Sequence, residues 1–241
     1  MKKILLFFTM CAFAVTVGAQ NIQLHYDFGK DRNYLTSTVE MFKPDKLGNT
    51  FFFIDFDYGS NGHTGISNAY FEIARVFTLG KTSPFGVHGE YNGGFGKIPN
   101  SPQHFTVNNA WLGGVDYSWN AEDFSKGFSF KVLYKNINAK IEENNSETLK
   151  NQNSVQFTGV WYLNFAKGKM SFTGFADFWK ENSDFNFDGT TDATWTFLAE
   201  PQIWWNAYKK FSIGSEVEIS SNFAGMEGFN VMPTIGAKYT F

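Results

Sequence analysis

The sequence predicts an all-β fold: a twelve-stranded antiparallel transmembrane β-barrel of the outer-membrane type, preceded by a signal peptide. Three observations predict it. Apolar and polar residues alternate with period two from Ile22 to Phe241, in segments of mostly eight to twelve residues, close to the ~9–11 that a tilted strand needs to cross a bilayer. The segments are joined by turns that alternate between short and long, as outer-membrane barrels alternate periplasmic turns and extracellular loops. One face of the strands is apolar and nearly free of charge, and aromatic residues gather at both of its ends.

The chain opens with MKKILLFFTMCAFAVTVGA. Lys2 and Lys3, the apolar stretch from Ile4 to Val17 and the small residues before Gln20 form the three regions of a secretory signal. Cleavage is expected after Ala19, which leaves 20–241 as the barrel. A spanning helix wants ~20 apolar residues, and this stretch is shorter. The only cysteine, Cys11, lies within it, so the mature chain has no disulfide and no thiolate metal site. Without Lys2 and Lys3 the chain carries 18 basic against 23 acidic residues. Nucleic acid is therefore not an expected partner.

The strands are expected at 22–28, 34–43, 50–58, 68–79, 85–92, 106–119, 128–136, 154–165, 169–180, 194–205, 210–221 and 229–241. The short connections are 44–49, 80–84, 120–127, 166–168 and 206–209. The long polar ones are 59–67, 93–105, 137–153 and 181–193. The link at 29–33 is short and breaks the trend. The last strand, ending VMPTIGAKYTF, must pair with the first to close the ring. Its terminal Tyr239 and Phe241 resemble the signal read by the barrel-assembly machinery.

The apolar face includes Leu24, Ile54, Phe56, Ile73, Val132, Phe178, Val217 and Ile235. In a soluble barrel this face would point inward. Here it is expected to face lipid, with belts of Phe85, Trp119, Phe128, Trp205 and Tyr239 at one rim and Tyr58, Tyr91, Tyr134, Phe178 and Trp195 at the other. Three residues break the pattern. Arg75 falls on the lipid side, so it either snorkels toward the short-turn rim or is turned inward by a bulge near Ala74. Pro201 and Pro233 each remove a ladder donor and are expected to mark bulges.

Function is expected on the inner face. Alternation turns Asp55, Asp57, Glu72, Glu90, Asp177, Glu200, Glu216 and Glu218 inward, with Asp27, Glu40 and Asp116, against Lys131, Lys135 and Lys238. Inward aromatics, among them Phe51, Phe53, Tyr70, Phe175 and Trp179, interleave with the acids. An acid-rich lumen repels phosphate and favours neutral or cationic solutes. Rings that stack and carboxylates that accept hydrogen bonds suit a flat polar solute. The alternative is a closed structural or binding barrel, plugged by its own paired charges, that acts through its loops.

The stretches FFFIDFDYG (51–59), YFEIARVF (70–77) and SFTGFADFWKEN (171–182) resemble the Tsx-type nucleoside-specific outer-membrane channels and a related, uncharacterised outer-membrane barrel family. The resemblance implies a monomeric twelve-stranded channel in the outer membrane that passes nucleosides down their gradient without a cofactor. It carries over Asp55, Asp57, Glu72, Phe175 and Asp177 as lumen residues.

Other motifs carry less. Asp184, Asn186, Asp188 and Asp192 are spaced like the start of a calcium loop, but Trp195 stands where the bidentate glutamate should be, so a polar hairpin loop competes with it. No serine pairs with a histidine at strand spacing on the lipid face, so no enzymatic activity is expected.

Overall fold

The computed structural model describes residues 19–30, 32–98, 101, 103–138, 151–183, 185 and 192–241. The predicted signal lies almost wholly outside them. The strands are β1 (Ala19–Asp27), β2 (Tyr34–Asp45), β3 (Gly48–Tyr58), β4 (Ile66–Thr78), β5 (Phe85–Lys97), β6 (His104–Asn120) and β7 (Lys126–Asn138). They continue with β8 (Gln152–Phe165), β9 (Met170–Ser183), β10 (Asp192–Ala199), β11 (Gln202–Tyr208), β12 (Phe211–Phe223) and β13 (Met226–Thr240). Each pairs antiparallel with its neighbours, and β1 pairs with β13 from Asn21 opposite Thr240 to Asp27 opposite Thr234. The sheet therefore closes. At the seam the Phe241 N–H donates to the Gln20 carbonyl, and on the other edge of β13 the Thr240 N–H donates to the Lys210 carbonyl, both at 2.9 Å.

Thirteen segments make twelve crossings, because β10 and β11 are two halves of one strand. Ala199 lies opposite Ala176 and Gln202 opposite Thr173, so one register runs through the break. The expected bulge at Pro201 is absent. The Glu200 N–H still donates to the Phe175 carbonyl and the Val217 N–H to the Pro201 carbonyl, each at 3.1 Å. Only the donor that proline lacks is lost.

Pro233 likewise causes no register shift, with Val217 opposite Pro233 and Gly214 opposite Gly236. Hydroxyls span the irregular stretch beside it. Ser215 Oγ donates to the Thr234 carbonyl at 2.6 Å, and the Glu216 N–H donates to Thr234 Oγ1 at 3.1 Å. Both prolines keep the register for one reason: the ladder bonds on either side of the lost donor are still made, so no extra residue is needed.

The faces are inverted relative to a soluble barrel. Along β1, Ile22, Leu24 and Tyr26 are exposed while Gln23, His25 and Asp27 are buried. Val87, Val115, Val132, Ile213 and Ile235 are also exposed. This continuous apolar band is the surface a bilayer covers, and the architecture is that of a multi-pass outer-membrane barrel. Aromatic pairs border it. Trp119 and Phe128 lie 5.8 Å apart at the short-turn rim, while Phe178 stacks on Trp195 at 4.7 Å and Tyr91 meets Trp111 at 4.6 Å toward the long-loop rim.

Arg75 stays on the lipid face. It snorkels to the short-turn rim, where Nη1 and Nη2 donate to Asp45 at 2.6 and 2.8 Å and the guanidinium covers the Phe77 ring at 4.8 Å. The pairing of β4 with β3 is regular there, with Thr50 opposite Arg75, so no bulge turns it inward.

Gly174 faces the break between β10 and β11. A Cβ there would sit 2.6 Å from the Glu200 carbonyl oxygen and 2.7 Å from Trp161. Gly159, on β8, would meet nothing within 4 Å. Gly174→Ala is therefore expected to lower the stability of the folded barrel by about 1–3 kcal/mol, while Gly159→Ala leaves it nearly unchanged. Urea unfolding followed by tryptophan fluorescence measures both.

Candidate functional site

The inward side chains form three zones along the lumen. The middle zone is a ring of carboxylates. Asp55 from β3, Glu72 from β4, Glu90 from β5, Asp177 from β9, Glu200 from the break after β10 and Glu216 from β12 all project inward near mid-height. They are close enough to feel one another: Glu90 and Asp177 act electrostatically on Glu72, and Glu216, Asp55, Glu218 and Glu72 act on Glu200. Strands spread around the circumference thus aim like charges at one region.

Most of these carboxylates are held by a short donor from the same or the next strand. Thr38 Oγ1 donates to Asp55 and Thr158 Oγ1 to Asp177. Tyr70 donates its hydroxyl to Glu72 at 2.7 Å, and Asn92 Nδ2 adds a second bond at 3.2 Å. His88 Nε2 meets Glu90 at 2.8 Å, and Gln202 Nε2 donates to Glu216. The donors are mostly neutral, so they orient the carboxylates without bringing opposite charge to them. Two bases lie nearby. Lys131 acts electrostatically on Glu90 and Asp177, and Lys135 donates to Gln156 at 2.8 Å while its ammonium covers the Trp179 ring at 3.9 Å.

Aromatic rings flank the carboxylate ring. Phe51, Phe53 and Tyr70 form a ladder on the inner face of β3 and β4, each ring 6.0 Å from the next. Phe175 lies opposite Glu200 in the β9 ladder, and Trp179 donates Nε1–H to Glu181 at 3.0 Å.

The upper zone lies at the long-loop mouth. Arg32, on the short link after β1, donates to Asp27 at 2.9 Å and to Glu218 at 2.8 Å. Burial opposes its charge, but Glu218, Tyr34 and Asp27 together more than offset this and push the guanidinium pKa up. Asp57 accepts from Thr36 and Asn68 just below. The third zone lies between mid-height and the short-turn rim, where the Lys238 ammonium covers the Trp204 ring at 4.1 Å and His25 meets the same ring edge-on at 5.5 Å.

The fold thus brings the predicted lumen residues together: Asp55, Glu72, Glu90, Asp177, Glu200 and Glu216 in the ring, Phe175 and Lys131 beside it, Trp179 above it, and Asp57 and Glu218 near the mouth. Sequence reasoning missed Arg32, Trp204 and Glu181. Period two does place Trp204 and Glu181 inward, in phase with Gln202 and Trp179, but nothing in strand periodicity shows that a loop arginine reaches back into the barrel. It also passed over an apolar wall, Ala110, Leu112, Leu133 and Ile137, which faces inward from β6 and β7 and is buried. Of the calcium candidates, Asp184, Asn186 and Asp188 lie outside the described residues, as does the side chain of Asp192. Among the described residues no cluster has the make-up of a metal site.

Comparison with known proteins fits the architecture. The chain is similar to a solved structure of the NanC porin, at 12% identity, over 92% of this chain and 100% of that one, with a TM-score of 0.59. Weaker likenesses are to the KdgM porin in complex with disordered oligogalacturonate, at 9% identity, 92% and 99% coverage and a TM-score of 0.48, and to the Acinetobacter baumannii outer membrane protein Omp33, at 11% identity, 93% and 97% coverage and a TM-score of 0.41. No curated protein sequence matches. Residues 19–241 match the family described as Domain of unknown function (DUF5020), and the chain belongs to that family.

Proposed function

We propose that this barrel is a monomeric outer-membrane channel for the passive, selective diffusion of small polar solutes, with nucleosides the favoured class. The observation that carries the reading is the mid-height ring of Asp55, Glu72, Glu90, Asp177, Glu200 and Glu216 beside the Phe51–Phe53–Tyr70 ladder. Carboxylates held by neutral donors keep lone pairs that can accept from sugar hydroxyls. The rings offer faces to a planar base. The same negative field disfavours phosphate, so the lumen suits a nucleoside better than a nucleotide. The resemblance of 51–59, 70–77 and 171–182 to the Tsx-type channels supports the same class.

Proteoliposome swelling tests it. Adenosine and thymidine are expected to enter, and adenosine monophosphate to enter at least about tenfold more slowly. No nucleoside entry through protein shown to be folded would overturn the reading. In planar bilayers Asp177→Asn and Phe175→Ala are each expected to weaken the block of ion current by adenosine. Unchanged block in both would place the solute elsewhere.

A second reading rests on the inward apolar wall of Ala110, Leu112, Leu133 and Ile137, whose burial means that the lumen is filled on that side. If the filling extends across the barrel, the protein is a closed structural or binding barrel, and bilayers containing it show no conductance steps.

The mouth gives an independent handle on permeation. Arg32→Ala leaves Asp27 and Glu218 without their shared cation. It is expected to raise the preference for cations over anions, read as a shift of reversal potential in a salt gradient. An unmoved reversal potential would show that the pair does not border the conduction path.

A further inference from the structure

The five short turns share a composition that neither closure nor the lumen explains. Each places at least one exposed lysine within two residues of an exposed apolar or aromatic side chain: Lys46 beside Leu47, Lys81 after Leu79, Lys126 after Phe124, Lys167 after Phe165 and Lys209 beside Tyr208. Lys43, Lys169 and Lys210 add to the same rim. With Arg75 the turns and adjoining outward face carry nine basic side chains against three acidic ones, Asp45, Glu122 and Asp123. The whole chain has the opposite balance, 20 basic against 23 acidic.

The few acids are largely occupied. Asp45 takes both donors of Arg75, and Asp123 is turned back on the Ser125 hydroxyl and N–H at 2.7 and 3.0 Å. Among the described residues none of the eight lysines makes an ion pair. The turns that carry them are tight. Phe124, Ala166, Lys167 and Lys209 have φ values of 53°, 52°, 59° and 48°, so the backbone leaves its usual regions to present these side chains. Leu47, Leu79, Phe124 and Tyr208 are each more than half exposed.

We infer that this rim is a binding collar for anionic phospholipid headgroups. Short turns of outer-membrane barrels lie at the periplasmic surface, where the adjoining leaflet is phospholipid. The apolar member of each turn reaches down into the acyl boundary, continuous with the aromatic belt of Trp119, Phe128, Trp205 and Tyr239. The lysine beside it extends its stem along that surface and places its ammonium at phosphate height. A lysine near an anionic surface gains attraction from the surface potential, and here every short turn supplies one, so the collar runs around the ring rather than forming one patch. Phosphatidylglycerol, with a net negative headgroup, is favoured over zwitterionic phosphatidylethanolamine. The inference does not depend on whether the lumen conducts.

Native mass spectrometry of the full folded chain, released from nanodiscs of equal phosphatidylglycerol and phosphatidylethanolamine, tests it. Phosphatidylglycerol is expected to be retained over phosphatidylethanolamine by about fivefold or more. Replacing Lys43, Lys46, Lys81, Lys126, Lys167, Lys169, Lys209 and Lys210 together by Gln should abolish the preference. Replacing Lys30, Lys97 and Lys180 by Gln, toward the long-loop rim, should leave it intact. Equal retention of both lipids by the wild type, as expected if the lysines serve an acidic protein instead, overturns the inference, as does an equal loss in the two variants. Should the eightfold variant fail to fold, the wild type decides alone. Its preference in nanodiscs, read by the mobility of labelled lipid, should vanish at about 1 M salt, where charges are screened within ~3 Å; a preference that survives overturns the inference.

Discussion

The constraint on which the structure depends is that no backbone polar group can be left unpaired in hydrocarbon. Closure follows from it. The seam between β1 and β13 is complete from Asn21 to Asp27 and is extended by the Phe241 N–H on the Gln20 carbonyl and the Phe28 N–H on the Pro233 carbonyl. The handling of both prolines follows too. Pro201 and Pro233 remove donors in membrane-crossing strands, and in each case the sheet keeps its register and recruits what lies nearby. At Pro201 the flanking Glu200 N–H and the Pro201 carbonyl stay in the ladder, and Gly174 across the pair lets the chains close without a Cβ in the way. At Pro233 the carbonyl still accepts from the Phe28 N–H of the β1 side, and the hydroxyls of Ser215 and Thr234 join β13 to β12 beside it. A bulge would shift every later residue by one and flip its face, which is a larger disturbance than one missing hydrogen bond.

Much of this was legible because a barrel is the simplest code a sequence can carry. Period two assigns each strand residue to lipid or lumen, and the connection lengths assign each rim. Ile22, Val132 and Ile235 on one face and Asp55, Glu72 and Asp177 on the other need no more than counting. Arg75 was readable as a conflict, and the fold resolved it through the length of its side chain and the nearness of Asp45.

What was not legible is whatever depends on reach across strands. Arg32 sits in a six-residue link with no periodicity, yet it joins Asp27 to Glu218, which lies 186 residues from Arg32. Its role exists only because closure brings β13, with β12 hairpinned beside it, next to β1. The apolar wall on β6 and β7 was on the page as Leu112 and Leu133, but a search for charges inside the barrel passes over leucines. The consequences of Pro201 and Pro233 were misjudged because a one-dimensional pattern shows a lost donor and not the neighbouring bonds that hold the register around it.

The charges are sorted along the barrel axis as well as across its wall, and the two sortings have different physical sources. Across the wall, lipid forces charge inward, so acids accumulate where water remains. Along the axis, most of the lumen acids lie from the mouth to mid-height, while the short-turn rim outside is basic. A barrel whose lumen is acidic gains nothing from an acidic rim at its anionic leaflet, since that would add repulsion where the wall meets the headgroups. Basic turns let one chain present opposite signs to its solute and to its membrane. The apolar band between them keeps the two sets apart, so neither can neutralise the other.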